Sequence, residues 1–196
     1  MSYAMKKSAT RYYYFFACIL FFIGVQACNP ASREASEADE PAYFPMKEYV
    51  EVLAEQLSGK NVARQITVNG ETERKEDLFE LEDWLNEFDF FIQNDINRPA
   101  LASAYATTRS EEYLIHELKE GEKNKTRKLV VRYEDGQVKE LSFFEKKENF
   151  FYTSEIRGVM FFNSGDGYLS HYLVESFQDV IWSKPNRMVV QGYVRY

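Results

Sequence analysis

Met46, Val50, Leu53 and Leu57 recur every three or four residues, which places them on one face of a helix; Pro45 pre-sets the first turn and Gly59 supplies a stop. The period then changes to two. Val62, Arg64, Ile66 and Val68 alternate with their neighbours, and Asn69-Gly70 is the pair that a two-residue hairpin turn prefers. The return strand, Glu71 to Lys75, is entirely polar, which suits a sheet edge guarded by charge. Helical spacing returns with Leu78, Leu81, Leu85, Phe88 and Ile92, with Trp84 and Phe91 beside the stripe and Glu80, Asp83 and Glu87 opposite it. This second helix is predicted to end at 94–99 and to pack its apolar face on a sheet.

From about Tyr105 to the C-terminus the pattern is one of successive strands. Tyr113 to Glu120 and Lys128 to Glu134 alternate, Asp135-Gly136 is a hairpin turn, and Val138, Leu141 and Phe143 continue beyond it. Phe150 to Phe162 is rich in aromatic and β-branched residues, Gly165-Asp166-Gly167 turns the chain, and Tyr168 to Phe177 and Met188 to Val194 follow. Short turns without intervening helices make an antiparallel meander. The expected fold is therefore α+β: a curved antiparallel meander of about six strands plus an N-terminal hairpin, with two helices packed on one face. Residues 46–196 are expected to form one domain.

Ahead of that domain the pattern is different in kind. Residues 29–45 have no periodicity, three prolines and an acidic cluster at Glu34, Glu37, Asp39 and Glu40, the composition of a flexible tether; fully extended it would reach on the order of 55 Å. Before it, Lys6, Lys7 and Arg11 precede an apolar run from Tyr12 to Val25, which is followed by Gln26, Ala27 and Cys28. That run is short of the roughly 20 residues a spanning helix needs, and Asn29-Pro30 ends it. The order of basic, apolar and small residues before a cysteine resembles the signal of bacterial lipoproteins, with Val25 to Cys28 as the lipobox. The resemblance implies that 1–27 is removed and that Cys28 carries the lipid, palmitate among its acyl chains. It also implies a membrane-anchored place in the cell envelope, and Asn29 in place of Asp after the cysteine matches the outer-membrane sorting rule of enterobacterial lipoproteins. The succession of short helix, Ile-Thr-Val-Asn-Gly hairpin, Trp-bearing acidic helix, Asp-Ile-Asn-Arg-Pro stop and meander resembles Gram-negative envelope lipoproteins of about this size, a resemblance that brings no activity with it.

Charge and cysteine count narrow the function classes. The chain has two cysteines, Cys18 and Cys28, so the domain after the tether has no disulfide, no thiol catalysis and no cysteine-ligated metal. After Cys28 there are 21 basic and 31 acidic residues, a net charge of −10, which makes nucleic acid an unfavourable partner. The two histidines fall in similar settings, Tyr-Leu-Ile-His116-Glu-Leu and Tyr-Leu-Ser-His171-Tyr-Leu. Were they to meet, with Glu120 or Glu175, they would make a two-histidine, one-carboxylate metal site and a metal-dependent or hydrolytic enzyme; two satisfied structural histidines are the favoured reading. No nucleophile elbow, phosphate loop or calcium loop occurs, and no cofactor is expected. The expectation is a non-catalytic binding or assembly module whose partner is an envelope protein or lipid. Phe143, Phe150, Tyr152, Phe161 and Tyr172 are the candidate ligand-binding residues: lining a cavity beneath the helices they would make the domain similar to the half-barrel carriers of lipoproteins and lipids, and filling the core they would make it an interaction module.

Overall fold

The computed structural model describes residues 42–196, which belong to one compact unit, Pro41–Tyr196. The signal 1–27, Cys28 and the tether up to residue 41 lie outside the described residues. Helix α1 runs Met46–Leu57 and is followed by the hairpin β1 (Lys60–Val68) and β2 (Glu71–Phe79). Two short helices, α2 (Leu81–Glu87) and α3 (Asp89–Ile92), lead through a 3-10 turn at Pro99–Leu101 to β3 (Tyr105–Arg109) and β4 (Tyr113–Leu118). Five longer strands complete the chain: β5 (Thr126–Glu134), β6 (Gln137–Glu148), β7 (Tyr152–Phe162), β8 (Leu169–Val180) and β9 (Asn186–Arg195).

All nine strands form one antiparallel sheet in the order β2-β1-β9-β8-β7-β6-β5-β4-β3. The α+β expectation of about six strands with a separate hairpin is thereby corrected: 54% of the described residues are strand and 17% helix, and the hairpin is part of the same sheet. The joint is β1 against β9, which pairs Val62 with Val194 and Ile66 with Val190. Closing a pairing between the ends of the chain is a long-range event that local periodicity does not register. The strand missed in sequence is β3, whose Ala106 to Arg109 are all exposed, so no alternation marks it. Leu78 and Phe79 belong to β2 and not to a helix; Leu78 fits the helical stripe by spacing, yet its backbone pairs with Asn61. The single long helix expected after it is two, broken at Phe88.

The helices cover one face of the sheet, and the core lies between. Trp84 meets Phe79 and Phe88, Phe88 meets Tyr172, and Phe91 meets Phe143, all with ring centroids 5.0–5.3 Å apart. Trp84, Phe88 and Phe91 are fully buried. Each ring of that size removes roughly 150–250 Å² from water, at roughly 25 cal/mol per Å², so these three dominate the apolar contribution of the helices. The indole N–H of Trp84 donates to the Leu57 carbonyl at 2.8 Å, fastening α2 to the end of α1. Two glycines make room for the aromatics. A methyl at Gly158 would overlap the Phe143 ring and one at Gly192 the Tyr172 ring, so both strands let a side chain from the neighbouring strand lie across their backbone.

Candidate binding surface

The polar side chains grouped on the helix-covered face are engaged by other protein groups, with the buried Arg64 Nε the exception. The Glu145 carboxylate, almost fully buried on β6, accepts from Asn94 Nδ2 at 3.0 Å and Lys125 Nζ at 3.0 Å through one oxygen and from Lys147 Nζ at 2.9 Å through the other. Burial alone pushes its pKa up, but the two ammonium groups and the Asn94 amide outweigh it and hold the carboxyl below its usual range. Asn94 in turn accepts from the Thr126 hydroxyl at 2.8 Å and donates to the Phe90 carbonyl at 2.8 Å, which anchors the segment after α3 to β5 and β6. Near the other end of the sheet, Glu87 of α2 takes Arg64 of β1 at 2.6 Å and the hydroxyl of Tyr172 at 2.8 Å. Burial and the adjacent Glu87 carboxylate keep Tyr172 protonated far above its ordinary range, so it donates and does not serve as a base.

The histidines are far from equivalent. His116 of β4 points under the helices and is buried; the Phe44 amide donates to its Nε2 at 3.1 Å, which leaves the proton on Nδ1, facing the Thr107 hydroxyl at 2.9 Å. Tyr43 packs edge-on against the ring at 5.2 Å. Burial first, and the Arg109 guanidinium second, lower its pKa to about 4. His171 of β8 lies on the opposite face, sandwiched between Phe161 at 4.6 Å and Tyr193 at 5.4 Å with the rings nearly parallel. The two imidazoles therefore cannot share an ion. Among the described residues no group of three or more His, Cys, Asp or Glu side chains is placed to hold a metal.

The five aromatic candidates divide the same way. Phe143 and Tyr172 are buried under the helices, filling the core beneath α2 and α3. Phe161 stands on the open face, and Phe150 and Tyr152 are exposed at the β6–β7 turn. They do not line one cavity.

The open face was not singled out from the sequence, and it carries an ordered row of side chains. Register places Ile115, Val130, Ser142, Val159 and Leu173 in one row across β4 to β8. On one side of this row stand Lys128, Phe144, Arg157 and Glu175; on the other, Glu140, Phe161, His171 and Tyr193. All of these residues except Ile115, His171 and Tyr193 border a largely apolar groove of about 390 Å³, and a smaller hollow of about 200 Å³ continues it past Arg157 and Glu175 to Arg187. The row residues are only half-buried, an incomplete burial for Val, Ile and Leu in the middle of a sheet. The charges around the row are mated to each other: Lys128 with Glu117 at 2.7 Å, Arg132 with Glu140 at 3.7 Å, Arg187 with Glu175 at 3.6 Å. Arg157 lies over the Phe144 ring at 5.0 Å. Such a surface offers an apolar strip with a polar rim. The signal for it in the sequence was the second parity of each strand, where Val130, Val159 and Leu173 occupy positions that ordinarily go to polar residues.

No protein-family model, curated protein or solved structure matches this chain.

Proposed function

We propose that the protein is a lipid-anchored lipoprotein of the bacterial envelope, attached through Cys28 at the outer membrane, whose domain is a non-catalytic binding module holding an apolar ligand or partner segment against the open face of its sheet. The observation that carries the binding part is the half-buried row from Ile115 to Leu173, flanked by Phe144 and Phe161 and framed by paired charges. An apolar strip surrounded by a satisfied polar rim is the anatomy of a recognition patch, in which the strip supplies affinity and the rim orientation. The space beneath the helices does not support a carrier cavity, because Trp84, Phe88, Phe91, Phe143 and Tyr172 occupy it. The anchor rests on the lipobox and its basic, apolar approach. The alternative of an enzyme using His116 and His171 together finds no support in two rings on opposite faces of the sheet.

Two measurements on protein purified from cell membranes test the two parts. Intact mass gives the anchor: the expected chain starts at Cys28 and carries acyl groups, and Cys28→Ala loses them. Native mass spectrometry gives the ligand: a bound mass is expected that Val159→Glu, an outward change on β7, removes while the fold persists. A bare wild-type chain, or a bound mass indifferent to Val159→Glu, would overturn the open-face reading.

A further inference from the structure

The ends of two neighbouring hairpins carry a second apolar surface, beyond the residues that line the groove of about 390 Å³. The β6–β7 turn presents Phe150 and Phe151, 84% and 61% exposed, and the β8–β9 turn presents Trp182, 95% exposed, beside exposed Val180 and Ile181. Neither turn is loose. Asn149 accepts the Phe151 and Tyr152 amides through its side chain at 2.8 and 3.0 Å, the Phe150 and Phe151 rings meet edge-to-face at 5.3 Å, and the Ile181 amide donates to the Phe151 carbonyl at 2.9 Å, tying the two tips into one. Trp182 is held in the left-handed region at φ 63°, a conformation strained for a bulky side chain, and the strain is spent on turning an indole outward into water. Hydrophobicity within the protein gives no reason for this arrangement.

Charge at the same sheet end runs against the rest of the chain. The turns and strand ends at 119–127, 146–152 and 178–187 hold eight basic and four acidic residues, whereas the chain after Cys28 is strongly acidic; Lys125 and Lys147 meet Glu145, Lys146 meets Glu148 and Arg187 meets Glu175, which leaves Lys119, Lys123, Arg127 and Lys184 without a carboxylate partner among the described residues. The first of these segments adjoins the tips directly, through the Lys146 amide and the Lys125 carbonyl at 2.9 Å. Rigid exposed Trp and Phe with Lys behind them match the layered chemistry of a phospholipid interface, where indole and phenyl rings settle at the headgroup level and ammonium groups meet phosphates. A protein groove would not require the basic collar, and an aqueous role would not require the rings.

We propose that the joined tips of β6–β7 and β8–β9 are a bilayer-contact site, seating Trp182, Phe150 and Phe151 in the interface of a phospholipid monolayer with Lys184 and its neighbours against the phosphates. Contact of this kind is shallow and reversible, and it orients the domain; among the described residues no helix is long and apolar enough to cross a membrane. The inference goes beyond the proposed function, since it needs neither the groove nor a ligand in it, and a lipid at Cys28 would only raise the frequency of contact.

The chain has two tryptophans, and Trp84 is buried, so emission that responds to the surroundings reports Trp182. The test adds the protein purified from cell membranes to preformed phosphatidylcholine vesicles with and without bromine on the acyl chains. Bromolipid is expected to quench the Trp182 emission and to protect it from aqueous iodide, while Trp182→Phe leaves an emission that neither quencher changes. Phe150→Ser with Phe151→Ser is expected to reduce the bromolipid quenching, and Lys184→Glu to reduce it further, with circular dichroism unchanged. Trp182 quenched by iodide equally with and without vesicles would overturn the proposal, as would protection that arises only when other envelope proteins are added. The intact mass of the same sample separates the outcomes: a chain without acyl groups refutes the anchor at Cys28, and quenching of Trp182 in that sample still stands for the tips.

Discussion

The two faces of this sheet are built from the same strands, and often from adjacent residues, yet they do different work. Met160 and Tyr172 face the helices, fully buried; Val159 and Leu173, one step along the same strands, stand half-covered on the open side. Beneath the helices the polar groups are consumed by the fold, with Glu145 and Glu87 each binding several partners. On the open face the ions pair across neighbouring strands and leave an apolar strip between them. Aromatic content by itself therefore does not report a cavity: one group of rings is core and another is surface, and the pleat alone decides which.

The contrast makes removal of core rings the most damaging change. Trp84→Ala should lower stability by about 3–5 kcal/mol in urea unfolding, because it leaves a cavity between α2 and β2 and strips the Leu57 carbonyl of its donor. A loss below about 1 kcal/mol would mean that α2 does not close the core.

Acid should act next, through His116. Its folded pKa of about 4 lies below the ordinary 6.5, so the folded state binds fewer protons and stability falls as pH drops from 6.5 towards 4, by up to about 3 kcal/mol. Glu145, also depressed, adds a further loss in the same direction at the acid end. His116→Gln should flatten the part between 6.5 and 4.5, and an unchanged slope in that variant would assign the acid sensitivity elsewhere.

Backbone clearance comes third. Gly192→Ala should cost about 1–3 kcal/mol by forcing the Tyr172 ring off β9, and Tyr172→Ala in the same chain should remove most of that added cost, a non-additivity that a double-mutant cycle measures. Simple addition of the two losses would mean that the ring is not what Gly192 accommodates.

The smallest effects belong to the open face. Phe161→Ala should cost about 1 kcal/mol or less, and Lys128→Ala within about 0.5 kcal/mol, since its partner Glu117 is solvated. A Phe161→Ala loss comparable to that of Trp84→Ala would erase the distinction between the faces. Ligand binding should show the reverse order, with Phe161→Ala weakening it and Trp84→Ala affecting it only through unfolding.

Much of the local structure was legible along the chain. The stripe from Met46 to Leu57 is α1 to the residue, and Asn69-Gly70 and Asp135-Gly136 are hairpin turns, with positive φ at all four positions, because such turns demand residues that tolerate the left-handed region. The candidate surface was less legible. Phe161 was named as a ligand-binding candidate and does border the groove, but Val130, Val159 and Leu173 read as ordinary strand residues whose facing is invisible until the register is known. The repeated settings of His116 and His171 leave a shared metal site open beside the favoured reading of two structural histidines. The fold instead put one ring under the helices and the other among Phe161 and Tyr193, and a six-residue likeness carries no information about which side of a strand faces inward.

By itself, the sequence determined the elements whose causes are local: helix periodicity, turn residues and the polarity of the β2 edge. Only the tertiary structure decided that the hairpin joins the meander through β1 and β9, that α2 and α3 fill the space beneath them, and that Val159 and Trp182 face solvent. The first outcome depends on pairings between residues more than a hundred positions apart and the others on which face of the sheet takes the helices, and no short window of sequence contains either.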